Sequence, residues 1–210
     1  MAGTLSQADL VADLKASLND AADVFVSAAD ADFKRHLEVA VLAMGAKRPR
    51  KLVGSLTVIA DTSEYAAPAD FECFGSLLWG IVPKPRGQPW ERAWPGRLPQ
   101  VEYVENPAGT FKLSLQPAPS AHQINALGAD FRYYYHARHT VHATNGALTS
   151  IAPADRGLLI LRAQAEAMRE LAMRNSKKPA QLRDGYSGAP RNATPGYLYE
   201  QLMDEFAKAP

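Results

Sequence analysis

The chain has 210 residues, of which 47% are hydrophobic and 21% charged, and its formal net charge is +1. At this size one well-buried core is expected, and two full domains are not. No apolar run approaches the roughly 18 residues of a membrane span, and near-neutrality excludes the cation excess that tight nonspecific nucleic-acid binding needs.

Cys73 is the single cysteine, so no intrachain disulfide forms. The start Met1-Ala2-Gly3-Thr4-Leu5 leads into an amphipathic pattern rather than a basic and then apolar signal, so a cytosolic product is expected. Residues 4–25 are expected to form a first helix, with Ser6 as N-cap and Leu10, Val11, Leu14 and Leu18 as its stripe. A second is expected over 29–44, with Phe33, Leu37, Val41 and Met44 on one face and Gly45 as its stop.

The period then changes. Residues 51–60 alternate as a strand, 61–64 carry turn chemistry, 65–71 form a compact bend, and an extended apolar run follows over 71–79. Residues 101–104 and 110–115 straddle the hairpin turn Asn106-Pro107-Ala108-Gly109, and Gln116-Pro117-Ala118-Pro119 ends that ribbon because proline donates nothing to a ladder. After a polar loop, residues 131–136 restart with Tyr133, Tyr134 and Tyr135. The pattern predicts a meander of about five strands inserted into the helical part.

Between strands, residues 80–99 hold Pro83, Pro85, Pro89, Pro95 and Pro99 beside Trp90 and Trp94. Tryptophan with Arg86, Arg92 and Arg97 is the composition of interface anchors, so the two rings are expected to meet another subunit; the alternative is that they fold onto their own sheet.

Residues 153–175 give the cleanest helical period, with Leu158, Leu161, Ala165, Met168 and Ala172 as the buried stripe, Leu159, Ile160 and Leu171 widening the apolar arc, and Arg162, Gln164, Glu166, Arg169, Glu170 and Arg174 on much of the remaining surface, in water or against a partner. The stretch 176–193 is polar and carries Lys177, Lys178, Arg183, Tyr186 and Arg191. Thr194 then caps a short helix that starts at Pro195 and includes Tyr197, Leu198, Leu202 and Phe206, an apolar face that needs either a partner's groove or the chain's own bundle.

The expected class is α+β: a helical bundle from 1–48 and 150–176, an inserted antiparallel β-domain at 49–149, and an extended arm at 177–210. The partner interface is expected at the loop tryptophans and along the arm. His136, His139 and His142 invite a metal, but positions three apart on a strand face opposite ways, so no metal site is expected. Cys73 lies in an apolar run without a neighbouring base, and Asp70 suits capping the bend better than acid catalysis. Phosphate-cradling, nucleophile-elbow and zinc-helix motifs are missing from the sequence, so neither catalysis nor a cofactor is expected.

Several phrases carry a family likeness: Tyr65-Ala66-Ala67-Pro68-Ala69-Asp70-Phe71, Leu113-Ser114-Leu115-Gln116-Pro117-Ala118-Pro119, and Phe131-Arg132-Tyr133-Tyr134-Tyr135. In their order between two leading helices and a long closing one, they resemble the head-to-tail adaptor (connector) proteins of tailed bacteriophages. The resemblance implies structural roles only: Pro68 and Asp70 for the bend, Pro117 and Pro119 for the ribbon end, Tyr133 and Tyr135 for the sheet. It further implies a homo-oligomeric ring of about twelve copies in the virion neck, docked beneath a portal protein, above a tail or neck protein and in passing contact with genomic DNA. Assembly in the host cytoplasm and no membrane partner go with that reading. The alternatives are a tail completion or fibre-attachment protein and a small metal-dependent or cell-wall hydrolase.

Overall fold

The computed structural model describes residues 5–175 and 194–210, an α+β chain with five α-helices and two small antiparallel sheets among them. It divides into a helical unit, residues 1–48 with 139–210, and a β unit, residues 49–138, each with a hydrophobic core of its own where one core was expected.

In the helical unit, α1 (Gln7–Leu18) starts where the Ser6 hydroxyl accepts from the Asp9 N–H, and it buries Leu10, Val11, Leu14 and Leu18. Helix α2 (Ala31–Lys47) buries Phe33, Leu37, Ala40, Val41 and Met44. It runs two residues beyond Gly45, which has no positive φ and so does not make the left-handed stop its sequence position suggests. Helix α4 (Arg156–Asn175) follows a 3-10 turn opened by Pro153, and its core residues are Leu159, Ala163, Ala167, Met168 and Leu171. Ala165 and Met168 of the expected stripe are buried, as are Leu159 and Leu171 of the wider arc. Leu158 and Leu161 are only half-buried, while Arg162 and Glu166, expected in water, are buried.

A further layer lies on the face of α4 that carries Gln164, Met168 and Leu171. Helix α5 (Pro195–Lys208), capped by the Thr194 hydroxyl, brings Leu198, Leu202 and Phe206 onto the helical core. The expected free arm is therefore corrected at its terminal helix, which sits on its own bundle because a stripe at spacings of four finds an apolar wall there. Lys47 Nζ donates to the Ala207 carbonyl at 2.7 Å and fastens the far end.

The expected boundary at 149/150 also moves, to 138/139. His139 Nε2 donates to the Arg48 carbonyl at 2.7 Å, the Gln7 N–H to the His142 carbonyl at 2.9 Å, and the Thr149 hydroxyl to the Leu5 carbonyl at 2.8 Å. These bonds enlist 139–149 in the helical unit.

The β unit is not a meander. β1 (Arg50–Thr57), β6 (Asp130–Ala137) and β3 (Phe71–Leu77) form one sheet in that order, and β2 (Glu64–Ala66), β5 (Phe111–Gln116) and β4 (Gln100–Glu105) form the other. Strand β6 is central to the first because it alternates cleanly: Phe131, Tyr133, Tyr135 and Ala137 point into the core. The expected bend closes by a Phe71 N–H to Pro68 carbonyl bond, and the Asp70 carboxylate accepts from Arg50 at 3.0 Å and from the Tyr135 hydroxyl at 3.1 Å. The β4–β5 turn has Gly109 at φ +73, where a side chain is strained, with the Asn106 side chain accepting from the Ala108 and Thr110 N–H groups.

A short helix, α3 (Ala121–Leu127), replaces the expected polar loop and carries a full Ser120/Gln123 capping box.

Candidate interaction surface

Three surfaces merit attention, two on the helical unit and one on the β unit. The first is the flank of α5. Leu198 and Leu202 face Met168 and Leu171 of α4 across a cleft of about 490 Å³ that Leu18 and Ala21 extend. Phe206, at 9% exposure, is the one α5 residue that is buried outright, and Leu198, Tyr199 and Leu202 are half-buried against the same core. Tyr197 is half-buried at its start, and its hydroxyl accepts from Gln201 Nε2. The remaining arm residues expected at an interface, Lys177, Lys178, Arg183, Tyr186 and Arg191, lie outside the described residues.

The second surface is the loop 80–99 of the β unit, and here the two tryptophans separate. Trp90 is 82% exposed. The Trp94 ring is half-buried under the Arg86 guanidinium at 5.2 Å, and its carbonyl accepts from His122 Nε2 at 3.0 Å. Gln123 Nε2 donates to the Arg97 carbonyl at 2.8 Å. Helix α3, which sequence periodicity did not reveal, is thus the peg that holds the loop while Trp90 projects from it. The capping box was the signal that would have found it.

The third is a charged cleft of about 500 Å³ between α2 and α4, lined by Arg35, His36, Arg169, Glu170 and Met173 among others. His36 is 3% exposed, lies edge-on to Phe25, and donates from Nε2 to Glu170 Oε2 at 2.7 Å. Arg35 at 2.6 Å and Arg174 at 2.5 Å complete a cage around the same carboxylate. Burial pushes the Glu170 carboxyl up, but the bonds from His36, Arg35 and Arg174 outweigh it and hold it at about 2. The depressed value means that this bracing is fully present above the ordinary carboxylate range and fades as pH falls from about 5 toward 2. Glu170→Gln is expected to lower stability at pH 7 by about 1–3 kcal/mol and to flatten its dependence on pH over that window. Urea titrations of both proteins at pH 7 and pH 3 measure the difference, and an equal loss at the two values would refute the assignment.

Glu166, 4% exposed, accepts from Arg162 at 2.6 Å and from Arg169 at 2.8 Å, while Arg162 Nη1 is buried without a partner. A buried pair with an unsatisfied N–H is replaceable by apolar side chains of similar volume. Arg162→Met with Glu166→Leu is expected to leave stability unchanged or raise it by about 1–4 kcal/mol, whereas Arg162→Met alone, which leaves Glu166 buried with Arg169 as its partner, costs about 1–3 kcal/mol. Thermal melts of the single and double variants decide it.

The histidines do not gather. His136 is on β6, His139 is bound at both ring nitrogens by Ser150 and the Arg48 carbonyl, and His142 Nδ1 accepts from the Thr144 and Asn145 N–H groups. Among the described residues no group of three or more potential ligands could hold a metal. Cys73 is exposed, not buried as its apolar run suggests, and stands opposite His136 in the β3–β6 register. Among the described residues no helix is long and apolar enough to cross a membrane.

No protein-family model and no curated protein sequence matches this chain. The surfaces above and the local phrases of the sequence are what any functional reading rests on.

Proposed function

We propose that this protein is a non-enzymatic structural component of a tailed-phage virion, one copy of an adaptor ring that docks beneath the portal and extends the DNA channel toward the tail. The observation that carries the reading is α5: a capped, amphipathic helix whose apolar face rests half-buried on the bundle, joined to α4 by residues 176–193. Docking by its apolar face requires α5 to leave that seat, giving up the Lys47–Ala207 bond and the cover over Leu18, Met168 and Leu171 in exchange for a groove on the portal. The formal charge of +1 agrees with a conduit past which DNA slides without being held. The neck of the virion is the expected location, with a tail or neck protein on the opposite side.

The test is reconstitution. Mixed with the portal ring of the same virion, the purified protein should give one stoichiometric complex by native mass spectrometry, of about twelve copies if it matches the portal's symmetry. The projecting Trp90 favours a second reading, a tail completion or fibre-attachment protein. Binding to a tail protein with none to the portal would select that reading and remove the first.

A further inference from the structure

Trp90 is 82% exposed, and Leu42, at 70%, is exposed on the helical unit. Leu42 stands in an apolar groove of about 340 Å³ floored by Leu37, Val41 and Val141. The groove's lining holds one carboxylate, Glu38, and no lysine or arginine among the described residues. The loop 80–99 presents the opposite: four cations, Lys84, Arg86, Arg92 and Arg97, against the single carboxylate of Glu91. One surface is an aromatic anchor without a socket, the other an apolar socket without an anchor, and their charges are complementary.

We infer that Trp90 of one copy inserts into the Leu37–Val41–Leu42–Val141 groove of a second copy of this chain, with Arg92 of the loop facing Glu38 at the groove's rim. The socket is at the small end for binding clefts, a size suited to one ring and its immediate neighbours. The anchor is prepared for it: α3 holds both Trp94 and Arg97 by their carbonyls, so little freedom is lost when Trp90 docks. Glu91 adjoins Trp90 and accepts from the Gln88 N–H at 3.0 Å, and a carboxylate beside the anchor opposes a phosphate backbone while leaving a protein groove acceptable. Exposed Ile81 and Val82 in the same loop add apolar surface for a protein face. Because anchor and socket are different patches, the contact is heterologous, the kind that propagates from copy to copy and closes into a ring when the rotation permits. The inference supplies the side-to-side contact of the proposed ring and rests on that reading for its setting.

The experiment uses full-length chains in a Cys73→Ser background, one carrying Leu42→Cys and the other Pro89→Cys, with a short bismaleimide as probe. The mixture should give a cross-linked dimer, while either chain alone should not. Trp90→Ala in the second chain should lower the rate at least tenfold, Glu38→Arg in the first should lower it, and Arg92→Glu added to Glu38→Arg should restore it. Equal rates with and without Trp90, equal self-linking of either single chain, or no mixed dimer at the highest protein concentration would each overturn the proposal. Portal binding is read in parallel. Cross-linking without portal binding retires the adaptor reading and keeps the contact, and portal binding without cross-linking does the reverse.

Discussion

Deleting residues 194–210 is expected to abolish binding to a portal ring, a loss of at least a hundredfold, because the apolar face formed by Leu198, Leu202 and Phe206 is the proposed docking element. The same deletion uncovers Met168 and Leu171 on α4, which line the seat of α5, so the truncated chain is also destabilised. The ring of Phe206 alone is worth about 3 kcal/mol. Two effects of one deletion need separating, and a synthetic peptide of residues 194–210 separates them. It should compete with the intact chain for the portal while leaving the chain's own fold unchanged. Binding by the deleted chain at full strength would end the adaptor reading, and failure of the peptide to compete would show that the deletion acts through folding alone.

Gly54→Val is the second large effect, and it is confined to the β unit. Gly54 pairs with Tyr133 across the β1–β6 ladder, and a Cβ built on Gly54 would lie 2.4 Å from Tyr133 Cζ. Tyr133 is 1% exposed and packed beside Phe74, Phe131 and Tyr135, so its ring has nowhere to swing. Overpacking of this kind costs about 1–3 kcal/mol for an added methylene and more for a branched side chain. Urea denaturation followed by tyrosine and tryptophan near-ultraviolet dichroism should show the loss. Tyr133→Leu should restore part of it in the Gly54→Ala background, because the double variant removes the clashing ring. An unaltered midpoint for Gly54→Val would contradict the close approach.

How much of this was readable beforehand depends on whether the governing interaction is local. The Ser6 and Thr194 caps, the stripe of α1, the Asn106 turn and the alternation of β6 are set by neighbours in sequence, and periodicity found them. Strand β2 has three residues and α3 seven, too few for a period to emerge. The burial of Arg162 and Glu166 was hidden because it is set by packing between helices far apart in sequence, Glu166 lining the cleft between α4 and α2. Of the cage around Glu170, Arg174 is four positions away, but Arg35 and His36 are more than 130 away, and nothing near Glu170 in sequence announces His36. For the interaction surface, composition singled out both loop tryptophans, but only the cation stacking on Trp94 and the clamp from α3 show which of them is displayed.

The hydrogen bond from His139 to the Arg48 carbonyl has a consequence for how such a chain can change over time. It clasps together the two points where the polypeptide leaves the helices and where it returns. Everything between them is an excursion whose two feet stand side by side, so that excursion can be shortened, enlarged or exchanged for another fold without reopening the helical frame. Grafting a different module between those two feet should therefore leave the helical core intact.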